Sequence, residues 1–122
     1  MRRSLRCSVS DTVFVVLGAN YNYSDSTWWV SRVFRSRDAA DAYANRLKQI
    51  VEYNEKVNKT TRPEYRTANQ TQWNRWIAEA QERSNHTRDQ LIALGESLEH
   101  VGGVDIDRCG WEVVETPIDG GV

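Results

Sequence analysis

Nine residues in the second half of the chain set the terms for its fold. Trp73, Ile77, Ala80, Ser84, Thr87, Leu91, Leu94, Leu98 and Val101 follow one another in alternating steps of four and three. An a/d pattern held over about four heptads specifies a helix with one seam to bury. At ~1.5 Å per residue, a helix from about 66 to 100 is roughly 50 Å long, with Gly102-Gly103 as its expected stop. Upstream, Ser36 offers an N-cap and Asp38 suits the first turn. Ala39, Tyr43, Leu47, Ile50 and Val57 then repeat near helical spacing, with Asn54 as a polar intruder. Lys59 to Pro63 breaks this first helix near Asn58. Pro63 can begin the next one, and Thr67-x-x-Gln70 is an alternative capping box.

The flanks read as strands. Residues 12–19, TVFVVLGA, are a continuous apolar run, which suits a central strand or one covered on both sides. Asn20 to Ser26 is turn chemistry. Residues 27–35, TWWVSRVFR, alternate, which sends Trp28, Val30, Arg32 and Phe34 one way and Trp29, Ser31, Val33 and Arg35 the other. A last strand is expected over about 110–117. The predicted class is α+β: a three-stranded antiparallel sheet, order 2-1-3, with a long two-helix hairpin inserted between strands 2 and 3. One domain covers 1–122, with a basic tail at 1–10, a β-hairpin at 12–35, the helical hairpin at 36–101 and the final strand.

These lengths do not match. Strands of about seven to nine residues span roughly 25 Å, half the length of the second helix. The surplus puts Trp73, Trp76 and Ile77 beyond the sheet and predicts a homo-oligomer built through the helices. The middle of the stripe is polar (Ser84 and Thr87, beside Asn85 and His86). Such residues set register or line a pocket, and Asn54 can face the same level.

With 16 Lys+Arg against 17 Asp+Glu the net charge is −1, which speaks against a general nucleic-acid binder. No segment approaches the ~20 apolar residues of a membrane span. Residues 1–19 read as a basic tail and a strand rather than a signal peptide, so a cytoplasmic location is expected. Cys7 and Cys109 lie outside any C-x-x-C or His-rich cluster, so no zinc site is expected. They can be two thiols of a reducing compartment or a bridge between the flanking strands. His86 and His100 have no paired nucleophile, and no G-x-S-x-G, H-E-x-x-H or Walker A pattern occurs. The expectation is a binding protein with no catalytic set, metal or cofactor.

The residues that suit binding are arginines among aromatics: Arg66, Trp73, Arg75, Trp76 and Arg88 on the second helix, and Arg108 before the last strand. Guanidinium groups take phosphate bidentately and indoles stack on bases, so the set fits a nucleotide-derived ligand. Alternatively, the Tyr21, Tyr23, Trp28 and Trp29 hairpin is a surface for grasping and inhibiting a host protein.

The segments VFVVLGANYNYSDSTWWVSRVFRSRDAADAYANRL and GWEVVETPI resemble small accessory proteins encoded by bacteriophages. Within that group, the β-β-α-α-β layout is similar to the anti-Thoeris sponge proteins, which insert a two-helix hairpin before the last strand. The resemblance implies assembly through helices and an anti-defence role in the host cytoplasm. There a cyclic ADP-ribose isomer would be sequestered without being cleaved. It makes Arg66, Trp76, Asn85 and Arg108 the candidate ligand contacts.

Overall fold

The computed structural model describes residues 11–21, 26–101 and 106–118. The basic tail, Cys7, Tyr23 and Gly102-Gly103 lie outside them. β1 (Thr12–Tyr21) is the middle strand, with β2 (Ser26–Phe34) and β3 (Cys109–Pro117) antiparallel on either side. Between β2 and β3 stand α1 (Arg37–Thr61), α2 (Gln70–Ala93), a short α3 (Leu98–Val101) and a 3-10 turn (Ile106–Arg108). Class, strand order and the placement of the helices are those expected from the sequence.

α1 begins where its cap does. The Ser36 side chain accepts from the Ala39 amide at 3.3 Å, satisfying one orphan donor of the first turn. It ends because Arg62 precedes Pro63 and takes the extended conformation that proline imposes on its neighbour. α2 starts two residues later than the Thr67–Gln70 box would place it. Asn69 accepts from the Gln72 amide and the Gln72 side chain accepts from the Asn69 amide, each at 2.8 Å.

Three expectations are corrected by geometry. The second helix does not run to residue 100. It ends at Ala93 in a Schellman turn: Gly95 takes φ +117°, its amide bonds Ile92 O, and the Glu96 amide bonds Leu91 O. The 24 residues of α2 span ~36 Å, so much of the mismatch with the sheet disappears. The apolar stripe continues past the break only because Leu94 and Val101 pack from the far side of the turn, while Leu98 is exposed. In α1 the buried stripe is Ala40, Ala44, Leu47, Val51 and Asn54, so Ala39 is exposed and the stripe is one residue out of phase with the expected one at its start.

The third correction lies in β2. Pairing passes from Val16↔Arg32 to Leu17↔Val30, leaving Ser31 as the extra residue of a β-bulge. The bulge resets the alternation. Trp29 and Ser31 therefore join Arg32 and Phe34 on the helix side, while Val30 and Val33 share the far side with Val15 and Leu17.

The core sits between α1 and the sheet. Val16 and Trp111 meet Ala40, Ala44, Leu47 and Val51, and Leu91, Val101 and Ile106 close the end. α1 lies across the strands, most closely along β3, and α2 rests mainly on α1. Among the described residues the helices cover one face of the sheet. The continuous apolar run of β1 agrees with its central position.

Candidate functional site

α1 and α2 share only part of their facing surfaces, because the α2 seam is polar at its centre. There they part to form a cleft of about 450 Å³, within the ~300–1,000 Å³ range of small-molecule sites. Tyr53 and Asn54 come from α1; Arg83, His86, Thr87 and Gln90 come from α2, with Glu79 and Glu82 nearer the hairpin tip. The helical repeat explains the grouping: residues 79, 83, 86, 87 and 90 fall three or four apart and face α1 together.

Asn54 is the distinctive member. It is 2% exposed; its Nδ2 donates to Asp107 Oδ1 at 2.9 Å, and its buried Oδ1 has no hydrogen-bond partner. A buried amide oxygen left unpaired costs about 1–3 kcal/mol. Arg83 is held for use. Its Nε donates to Asn58 Oδ1 at 2.9 Å and its Nη2 to Thr61 Oγ1 at 3.2 Å. A guanidinium carries five N–H donors, so others are left for a guest. The Tyr53 ring is exposed and offers a flat face beside Asn54.

The cleft is lined by none of the seven residues expected from the sequence, and those seven do not converge. Trp73 and Trp76 form an edge-to-face pair at the hairpin tip, 6.0 Å between ring centroids. The cation over both rings is Arg62, at 5.6 and 6.0 Å, while Arg66 and Arg75 are exposed. Trp76 also donates to Thr61 Oγ1. Asn85 accepts from Gln81 and Arg88 on its own helix. Arg88 spends its Nε on the Val101 carbonyl at 2.7 Å, a structural tie at the far end of α2. Arg108 reaches the Tyr21 carbonyl at 3.4 Å, near the end of β1. Of the hairpin aromatics, Tyr21 and Trp28 are exposed as a T-shaped pair, but Trp29 is buried.

Sequence reasoning missed a second polar cluster, beneath the turn at Gly95. Glu96 is 4% exposed, and its carboxyl accepts from Trp29 Nε1 and Trp111 Nε1, each at 2.9 Å, and from the Ser31 hydroxyl. Gly18 leaves room for this arrangement, since a Cβ there would sit 2.4 Å from the Trp29 ring. Each acceptor oxygen is used and the cluster is closed to solvent, so its role is to fasten α2 to the sheet. The only signal in the sequence was a Glu following a lone Gly at the end of a helical pattern.

Among the described residues, no group of three or more His, Cys, Asp or Glu side chains could hold a metal ion, and no helix is long and apolar enough to cross a membrane. Compared with family models, curated proteins and solved structures, the chain has no significant match.

Proposed function

We propose that this is a binding protein that sequesters a nucleotide-derived signal in the cleft between α1 and α2 and leaves it uncleaved. The signal would be of the cyclic ADP-ribose type, and the setting would be anti-defence in a host cytoplasm, as the resemblance to anti-Thoeris sponge proteins implies. The observation that carries the reading is the cleft itself, with the buried, unpaired acceptor of Asn54 in its lining: a ligand N–H or O–H would satisfy it once the amide turns outward. Around it, Tyr53 offers a stacking face, Arg83 and His86 suit phosphate oxygens, and Glu79 and Glu82 suit ribose hydroxyls. This moves the binding role from the Arg66, Trp73, Arg75, Trp76, Asn85, Arg88 and Arg108 set to residues that share one space.

Calorimetry with cyclic ADP-ribose, NAD and adenine nucleotides tests it. Tyr53→Ala and Arg83→Met each lower affinity at least tenfold, about 1.4 kcal/mol, and the ligand is recovered intact after heat denaturation. A folded protein that gives no heat with any of them ends this reading. A second reading, inhibition of a host protein through the hairpin, draws on the exposed Tyr21–Trp28 pair. A stoichiometric host protein retained by the wild type and lost with Trp28→Ala would favour it.

A further inference from the structure

The groove between α1 and α2 does not end at the cleft. Past Tyr53, toward the start of α1, lies a second compartment of about 190 Å³ lined by Arg46, Gln49 and Ile50. Tyr53 and Gln90 line both compartments, so the exposed tyrosine ring stands between them.

The two compartments differ in charge. The cleft holds Glu79 and Glu82 beside Arg83, and Arg83 already spends Nε and Nη2 on Asn58 and Thr61. Among the described residues, no carboxylate lines the second compartment. Arg46 has Ala42, Tyr43, Gln49 and Ile50 at the positions three and four away, where a helical ion-pair partner would stand. Among the described residues its side chain makes no hydrogen bond or ion pair. Arg46 therefore has its whole donor fork to offer a phosphate, and the Gln49 and Gln90 amides add N–H donors in the same compartment.

We infer that this compartment holds a second phosphate of the ligand, with Arg46 as its anchor, so that the groove selects pyrophosphate-bearing nucleotides over monophosphates. The inference rests on the nucleotide reading of the cleft and adds a part of the ligand that the cleft itself does not hold. Distance sets the preference. Arg46 stands about two turns before Tyr53 on α1, roughly 10 Å along the helix. A base stacked on Tyr53 carries its first phosphate part of the way. A second phosphate and the arginine side chain cover the rest.

Calorimetry of the full chain with cyclic ADP-ribose, ADP and AMP tests it. The wild type binds each of the two pyrophosphate compounds about tenfold or more tighter than AMP. Arg46→Gln, at an exposed position where glutamine is a good helix former, removes that preference. It weakens both pyrophosphate compounds about tenfold and moves any AMP binding by less than about twofold. Arg37→Gln makes the same change of charge at a residue paired with Glu115, outside the groove, and leaves all three affinities unchanged. Either pyrophosphate compound binding no more tightly than AMP overturns the inference while the cleft reading stands. So does an Arg46→Gln protein with wild-type affinities, or an equal loss with Arg37→Gln, which would report net charge rather than a site. Absence of heat with every compound removes the cleft reading and this inference with it.

Discussion

Two buried polar side chains, one at each level of the helical pair, are treated in opposite ways. Glu96, where α2 turns toward the sheet, meets three donors from β2 and β3. Asn54, beside the cleft and no less buried, keeps its carbonyl oxygen unpaired. Polar groups in a low-dielectric interior strengthen a fold when fully satisfied and weaken it when not. The sheet end is therefore where stability is concentrated, and the mid-helix level is where stability has been given up. Measurements that remove each group in turn can widen or erase that contrast.

The largest effect belongs to Glu96. Glu96→Ala removes the acceptor shared by two buried indole N–H groups, while the Ser31 hydroxyl keeps the Tyr43 hydroxyl at 3.4 Å, and the expected loss is about 3–5 kcal/mol, read as a fall in the urea midpoint. Trp29→Phe and Trp111→Phe each lose one donor and cost less. If Glu96→Ala unfolds at nearly the wild-type midpoint, the cluster is not the fastening described and the contrast fails.

Next is Gly18→Ala. The added methyl meets the Trp29 indole, which cannot swing aside without leaving Glu96. A loss of about 2–3 kcal/mol is expected from overpacking plus the broken hydrogen bond. In a Trp29→Leu background the same change costs under ~1 kcal/mol, because the obstacle is gone. That coupling assigns the effect to the ring rather than to the backbone.

Asn54→Leu probes the other side of the comparison. It removes an unpaired acceptor and also the bond to Asp107, so the two terms oppose each other. Stability stays within about 1 kcal/mol of wild type, while nucleotide binding by calorimetry is lost. A loss on the scale of Glu96→Ala would make Asn54 a structural residue and remove its claim to a ligand.

What the sequence showed and hid follows the same division. Strand order, the capped start of α1 and the paired helices were legible because they rest on local periodicity and turn chemistry. The polar centre of the stripe, with His86, Thr87 and Asn54 at one level, was legible for the same reason. The end of α2 was not: Leu94, Leu98 and Val101 continue the four-three rhythm through Gly95, and a lone glycine inside such a pattern reads as a tolerated one. The bulge at Ser31 was hidden because tryptophan and valine on both sides of it suit either phase. Glu96 was hidden because its donors lie 15, 65 and 67 residues away in sequence. Where the arginines lie was not legible, for a geometric reason. Arg66 follows Pro63 in the connection, outside the helix, and Arg75 faces solvent, whereas Arg62 and Arg83 turn back over the tip and into the cleft.

The smallest effect is expected at the tip. Trp76→Phe keeps a ring against Trp73 and under Arg62 but deletes the hydrogen bond to Thr61 Oγ1. That bond is exposed, and water can replace it, so the urea midpoint should move by less than ~1 kcal/mol in equivalent stability. The same Thr61 oxygen also accepts from Arg83, and losing the indole leaves that guanidinium as its partner. Arg83 is then held at least as firmly, so nucleotide affinity should be unchanged or slightly higher. A tip variant that destabilises as much as Gly18→Ala would mean that the fold is fastened at both ends. The division of labour between sheet end and cleft would then have to be redrawn.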